Sequence, residues 1–123
     1  MTHHTFFTAD THFGHKMLVD SKFRPFSSVE EMDEVIIERW NKMIRSGDTV
    51  YHLGDFSFHD HAIAYLKRRQ LNGRIHLIQG NHDRLNSRLK DEFEWVRHYY
   101  EVKSIGSSRI EHKIILCHYP FET

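Results

Sequence analysis

The sequence predicts a single α/β domain built on a parallel sheet, and three observations support that prediction. Segments with strand and helix character alternate between residues 4 and 79. No linker, repeat or low-complexity tract interrupts residues 1–123. Acidic and histidine side chains follow directly after apolar segments, as in "LGD" and "QGNHD". In a compact chain, this alternation gives parallel strands with helices packed on the sheet.

The first part of the chain predicts a strand, a loop and a long helix. Residues 4–10 have the aromatic and threonine content of a strand and end in an acid. Residues 11–26 are expected to form a loop. Residues 27–48 predict a helix, because Ser28 and Glu31 form a capping box and apolar residues recur at helical spacing.

The remainder repeats the alternation and then changes character. Apolar runs bounded by glycine and asparagine predict further strands, and a helical pattern lies between the first two of them. The predicted elements are a strand at 49–55, a helix at 59–71, a strand at 74–79, a short helix around 85–93, and a hairpin whose strands, 94–105 and 108–118, flank Gly106.

The composition excludes several classes of protein. A chain of 123 residues with 39% hydrophobic content is long enough to bury a core. No apolar stretch has the length of a membrane span and no signal pattern begins the chain, so we expect a soluble, cytoplasmic protein. Cys117 stands alone, which excludes an intramolecular disulfide. The 17 basic and 17 acidic residues balance, which argues against a protein that grips a long nucleic acid.

Histidine is the outlier of the composition, with 12 residues, and imidazole is the commonest metal ligand. We expect Asp10 and His12 to bind one ion, because residues two apart in an extended chain point the same way. The glycines before Asp55 and Asn81 are expected to let the backbone turn sharply. Oxygen and nitrogen ligands together suit Mn, Fe, Ni, Co or Zn better than calcium. The candidate residues, each just past the end of a predicted strand, are Asp10, His12, Asp55, Asn81, His82 and His118.

Each of these signals, taken alone, also fits a purely structural role. An Asp-x-His triplet arises by chance, and a Gly-Asp pair commonly forms a turn that caps a helix. His118 fits equally well as a core histidine beside Cys117. Four signals in this order, each at a strand end, are not readily produced by structural roles, so their conjunction indicates a metal site.

The same residues carry a family resemblance. The motifs DTH at 10–12, GD at 54–55, GNHD at 80–83 and the CHYP histidine, His118, resemble the successive motifs of the calcineurin-like metallophosphoesterases. Other stretches resemble a subgroup of small bacterial and phage phosphoesterases. The resemblance implies an α/β/β/α sandwich and hydrolysis of a small phosphoester or nucleotide by metal-activated hydroxide.

The resemblance also implies roles for the individual residues. Asp10, His12 and Asp55 would hold one divalent ion, and Asp55, Asn81 and His118 would hold a second, so that Asp55 bridges the two. Mn is the first choice of metal, with Fe, Ni, Co or Zn as alternatives. His82 would donate a hydrogen bond to the phosphate or a proton to the leaving group. Asp83 would orient His82.

The chain departs from the family pattern at its end. The Gly-His-x-His motif, which gives each metal one further histidine, has no match, so we expect a domain truncated at its C-terminus relative to the family. His15 is the preferred substitute ligand or phosphate contact. Water or a neighbouring subunit could also complete the metal shells. The other spare histidines include His3, His52 and His112.

Two interpretations of different class follow. The first is a metal-dependent phosphoric ester hydrolase whose activity is weakened by the missing motif. The second is a metal-binding or scaffold module that keeps the fold but has little or no turnover. A homodimer is a further expectation, because the missing strands would leave an unpaired sheet edge near His118.

Overall fold

The structure is a computed structural model that describes residues 3–57, 61–80, 83–105 and 111–118. Short strands and helices alternate along the first three quarters of the chain, and two longer strands close it. The elements are β1 (Thr5–Thr8), α1 (Lys16–Asp20), α2 (Val29–Met43), β2 (Thr49–His52), α3 (His61–Gln70), β3 (Arg74–Ile78), α4 (Ser87–Lys90), β4 (Trp95–Arg97), β5 (Tyr99–Ile105) and β6 (Glu111–Cys117).

The predicted parallel sheet is confirmed. Strands β1 to β4 form a four-stranded sheet in that order, and every neighbouring pair is parallel. Strands β5 and β6 form an antiparallel pair, which confirms the predicted hairpin, although Gly106 at its centre lies outside the described residues. Thr8 pairs with His52, and His52 pairs with Leu77, so the first three strands end at the same level. The loops that follow these strands therefore begin side by side.

The sheet separates two different layers. On one face, Val50 and Leu77 are fully buried in a core that includes Trp40 of α2 and Ala64 of α3. The opposite face is aromatic: Phe7, Tyr51, His76 and Trp95 are successive partners across the four strands, and Tyr100 of β5 stacks on Tyr51. The helices thus cover one face, and the hairpin contributes to the cover of the other.

The strand predicted at 94–105 and the loop predicted at 11–26 differ from the structure. The predicted strand over 94–105 is two strands, because Trp95–Arg97 joins the sheet beside β3 while Tyr99–Ile105 pairs with β6. The loop predicted for residues 11–26 contains α1, which at five residues is too short for a helical period to show in the sequence.

The capping signal for α2 was predictive. The hydroxyl of Ser28 accepts a hydrogen bond from the backbone N–H of Glu31 at 3.1 Å, and the helix begins at Val29. The helix ends at Met43, before the predicted boundary, because Ile44 adopts an extended conformation and is buried in the core. In the part of the chain that the structure describes, no helix is long and apolar enough to cross a membrane.

Candidate metal centre

The loops after β1 and β2 bring Asp10, His12 and Asp55 together. One potential ligand atom from each of the three residues lies within 4.8 Å of the other two. His12 Nε2 lies 3.7 Å from an oxygen of Asp10 and 3.6 Å from an oxygen of Asp55. The side chain of Asp55 is almost fully buried, whereas that of Asp10 is 57% exposed. The cluster is therefore open to solvent on the Asp10 side.

His118, directly after β6, approaches the same carboxylate. Its Nε2 lies 3.3 Å from the Asp55 oxygen that also faces His12. Its Nδ1 lies 2.8 Å from the carbonyl oxygen of Leu53, and because a carbonyl only accepts, Nδ1 carries the proton. In the neutral ring, the Nε2 lone pair then faces the carboxylate, which is favourable only with a cation or proton between them. Metal-binding histidines are commonly oriented in this way by a carbonyl behind the ring.

The backbone at three of these residues is left-handed. Asp10, His12 and Asp55 have φ values of 57°, 50° and 52°. Among the described non-glycine residues only Lys22 shares this feature. A left-handed backbone costs an L-residue roughly 1–2 kcal/mol, and such strain concentrates at functional sites. The expectation of extended backbone at Asp10 and His12 was wrong: both residues are left-handed, and their side chains lie close together on that backbone.

Backbone hydrogen bonds tie the two strained loops together. The N–H of Asp10 donates to the carbonyl of Gly54, and the N–H of His12 donates to the carbonyl of Asp55, both at 2.9 Å. Arg24 adds two further bonds from its guanidinium to the carbonyl oxygens of Asp10 and of the next residue. Sequence analysis missed Arg24, because a single arginine in a predicted loop belongs to no recognisable pattern.

Gly54 and Gly80 are needed for different reasons. Gly54 has a φ of 109°, and a Cβ there would lie 2.5 Å from Nδ1 of His118. Gly80 does not have a positive φ, but a Cβ there would lie 2.4 Å from the backbone nitrogen of Asp55. The expected sharp turn is thus found at Gly54, whereas Gly80 is required for the close approach of two loops.

Asp83 is buried behind the loop that carries Asp55. Its carboxylate accepts four backbone N–H bonds, from Asp55 at 2.9 Å, Phe56 at 2.8 Å, Ser57 at 3.3 Å and Gly80 at 2.8 Å. Burial raises the pKa of Asp83, while the N–H donors act in the opposite direction. Asp83 therefore fixes the loop after β2 against the loop after β3.

Asn81 and His82 lie outside the described residues. The roles assigned to them from the sequence, as a metal ligand and as a proton or hydrogen-bond donor, stay predictions. The orientation of His82 by Asp83 likewise stays a prediction.

His15 lies against His12 and is itself buried. The Nδ1 atoms of the two rings are 3.0 Å apart, so one of them must carry a proton. If Nε2 of His12 binds a metal ion, its Nδ1 is protonated and donates to His15. His15 then orients His12, which is a different role from the substitute ligand expected from the sequence; that ligand role stays untested.

Burial lowers the pKa of the His12 imidazole and so favours its neutral form. Desolvation is the largest influence that lowers the pKa of His12, and Arg24 and His15 lower it further, while Asp55 and Asp10 partly oppose them. A neutral imidazole is the form that binds a metal ion, because the ligand nitrogen must be free of its proton.

Of the other spare histidines, two are excluded by position. His52 is fully buried, and its two ring nitrogens contact Thr11 and the backbone of Gly54. His3 packs beside Gly47, which lies just before β2, at the end of the strands opposite to the cluster. The side chain of His112 lies outside the described part of the structure.

The family model for calcineurin-like phosphoesterases matches residues 3–121. This chain belongs to that family. Among curated relatives, it is 38% identical over 84 residues to an uncharacterized protein of Methanocaldococcus jannaschii, covering 67% of this chain and 48% of the relative. It is 35% identical over 103 residues to the gene 66 protein of Mycobacterium phage L5, covering 80% of this chain and 48% of that protein. The chain thus spans about half the length of these two relatives.

A solved structure supports the fold of this calcineurin-like phosphoesterase. The crystal structure of a protein of unknown function from Aquifex aeolicus superposes with a TM-score of 0.75 at 31% sequence identity. The match covers 94% of this chain and 60% of the Aquifex chain. Metal-dependent hydrolysis of phosphoesters is the activity that membership of the family suggests.

Proposed function

We propose that this chain is a metal-dependent phosphoesterase that hydrolyses a small phosphodiester or nucleotide with two divalent ions. The observation that carries the proposal is the convergence of Asp10, His12 and Asp55 within 4.8 Å, each on a strained, left-handed backbone. A structural role would not require strain at three neighbouring polar residues. Family membership indicates the class of reaction.

The donor set fits a divalent transition metal. Asp10 and His12 would hold one ion, His118 and Asn81 the other, and Asp55 both. Support for a shared Asp55 is that one of its oxygens lies 3.6 Å from Nε2 of His12 and 3.3 Å from Nε2 of His118. Carboxylate, amide and imidazole ligands suit Mn first, and Fe, Ni, Co or Zn as alternatives.

When bound, such ions lower the pKa of water and stabilise the charge that develops on the phosphate. The chain itself supplies the geometry and the proton transfer. Its open side, at the exposed Asp10, provides access for a phosphoester. His82 would donate a proton to the departing oxygen, which matters most when the leaving group is a poor one.

The test is hydrolysis of two phosphodiesters in the presence of Mn²⁺. One substrate releases p-nitrophenolate, and the other releases an aliphatic alkoxide. For His82→Ala we expect a loss of about 10²–10⁴-fold on the alkoxide substrate and a smaller loss on the nitrophenyl substrate. The matched control is His98→Ala, because His98 is an exposed histidine between β4 and β5; this variant should leave both rates unchanged.

Three outcomes would contradict the proposal. A protein that binds Mn²⁺ but hydrolyses neither substrate would favour a metal-binding or scaffold module. Activity that persists after chelation would exclude a metal-dependent reaction. Equal losses on both substrates in His82→Ala would contradict the role of His82 as the proton donor.

A further inference from the structure

We infer that His52 and Thr11 form a buried positioning pair that sets the conformation of the two loops carrying Asp10, His12 and Asp55. This inference rests on the proposed metal centre. Neither residue is a ligand in that proposal, and their contribution is to hold the ligands in place.

His52 is the last residue of β2 and points into the helical face of the sheet. It is fully buried, with its ring near Trp40 and Phe56 at centroid distances of 6.5 and 5.3 Å. Val50, two residues earlier on the same strand face, is an ordinary apolar core residue. An apolar side chain at position 52 would avoid the free-energy cost of burying a polar ring. The presence of a histidine there indicates that its hydrogen bonds have a structural purpose.

The hydrogen bonds define one tautomer of His52. The Thr11 hydroxyl lies 2.8 Å from the carbonyl oxygen of Phe56, which can only accept, so the hydroxyl donates its single proton there. The 3.0 Å contact between the hydroxyl and Nε2 of His52 must then use the proton on Nε2. Nδ1 accepts from the backbone N–H of Gly54 at 3.1 Å. The ring is therefore neutral and has both nitrogens engaged.

The two hydrogen bonds of the His52 ring reach residues next to the left-handed positions in both loops. Thr11 stands between Asp10 and His12, and Gly54 directly precedes Asp55. Each of the three left-handed residues is thus adjacent in sequence to a residue that His52 holds. Strained backbone persists only where surrounding contacts over-determine it, and the imidazole of His52 supplies such contacts to both loops.

Thr11→Val is the direct test, because valine keeps the shape of threonine and removes the hydroxyl. We expect the affinity for Mn²⁺, measured by titration calorimetry and electron paramagnetic resonance, to fall by about tenfold to hundredfold, the range seen when supports of metal ligands are removed. Thr11→Ser keeps the hydroxyl and should bind Mn²⁺ within about twofold of the wild type.

A second variant and a control separate positioning from general stability. His52→Leu should also weaken Mn²⁺ binding, and His52→Gln, whose amide can still donate to Thr11, should recover part of the loss. Ile75→Val, in the core on β3, is the control: it should lower the melting temperature without changing Mn²⁺ affinity. All titrations are made well below the melting temperature of each variant.

The outcomes distinguish this inference from the proposed function. A wild type that binds no Mn²⁺ would overturn the metal centre and the inference with it. A wild type that binds Mn²⁺ while Thr11→Val binds it equally well would leave the metal centre intact and overturn the inference. A comparable loss of affinity in Ile75→Val would also overturn it, because the effect would then follow stability alone.

Discussion

Two buried aspartates at opposite ends of β2 perform different tasks. Asp48, directly before the strand, is 2% exposed, and its carboxylate accepts backbone N–H bonds from His4 at 2.9 Å and from Arg45 at 2.8 Å. Asp55, three residues after the strand, is 5% exposed, and one of its oxygens faces the imidazoles of His12 and His118.

The difference shows how context decides the role of a buried carboxylate. The backbone bonds to Asp48 lower its pKa and close the turn that leads into β2, so the charge is already compensated. Asp55 sits on left-handed backbone with one oxygen facing two imidazole nitrogens, and such backbone strain costs stability and clusters at functional sites. The carboxylate before β2 stabilises the fold, whereas the carboxylate after it belongs to the candidate metal centre.

The largest expected effect is on metal content. Asp55→Ala should lose all bound Mn²⁺, because Asp55 is the ligand assigned to both ions, whereas His12→Ala or His118→Ala should each lose one. Asp48→Ala should keep the wild-type metal content and lower the melting temperature, because two backbone donors lose their acceptor. Elemental analysis after dialysis measures the content. Equal metal in wild type and Asp55→Ala would contradict the assignment.

The next effect concerns the pH dependence of stability. Burial lowers the pKa of His52 from 6.5 to about 3, so between these values the unfolded chain binds a proton that the folded chain does not. The stability associated with His52 is complete above pH 6.5 and is lost as the pH falls toward 3, by up to about 1.4 kcal/mol per pH unit. Chemical denaturation of His52→Gln should therefore show a flatter slope than the wild type in this window.

The contribution of Asp48, at the other end of β2, to stability should change in a lower pH window. The pKa of Asp48 lies below its ordinary value of 3.8, so its contribution to stability is present above that pH and is lost below it. Asp48→Asn should match the pH slope of the wild type above pH 5. If the free energy of unfolding of this variant had a different pH slope from the wild type between pH 5 and 6.5, the contributions of Asp48 and His52 would not be independent.

A smaller effect is expected for the histidine that supports His12. His15→Ala should weaken Mn²⁺ binding about tenfold, because the Nδ1 partner of His12 is lost. His3→Ala, a change of the same type at the other edge, should leave Mn²⁺ affinity unchanged. Calorimetric titration of both variants tests this pair. Equal Mn²⁺ affinities in His15→Ala and His3→Ala would contradict the proposal that His15 orients His12.

The smallest effect tests the strain itself. Asp55→Gly and Asp55→Ala both remove the carboxylate, but only glycine adopts a φ of 52° without cost. Asp55→Gly should therefore be more stable to unfolding than Asp55→Ala by about 1 kcal/mol. Asp48 is not among the positive-φ residues, so there the glycine variant should be the less stable one. Urea denaturation of all four variants measures both differences.

The sequence predicted the rim of the sheet well because motif and topology agree there. Asp10, His12 and Asp55 follow β1 and β2, neighbouring parallel strands whose last residues, Thr8 and His52, are paired. His118 follows β6 of the separate antiparallel pair, so parallel pairing does not account for its approach to Asp55. The capping serine of α2, Ser28, was predictable because its hydrogen bond is local.

The supporting contacts could not be predicted in the same way. His52 bonds to Thr11, which lies 41 positions earlier in the chain, and Arg24 bonds to carbonyl oxygens 13 and 14 positions earlier. No local pattern reveals the left-handed conformation of the loops that these bonds reach. The sequence-based prediction of His52 as a spare ligand was wrong; its position two residues after Val50, on the same face of the strand, is the available signal that it is buried. The division of residues 94–105 into two strands depends likewise on pairing with β3 and β6, which are distant in sequence.

The most direct test of the metal centre is a crystal of this chain grown with Mn²⁺ and measured at a wavelength where manganese scatters anomalously. Our account predicts two anomalous peaks, each within bonding distance, about 2 Å, of the carboxylate of Asp55, one beside His12 and the other beside His118. It also predicts that both peaks disappear in Asp55→Ala and persist in Asp48→Ala. Anomalous density that is absent from this edge, or that lies at another site while Asp55 has no metal neighbour, would contradict the account.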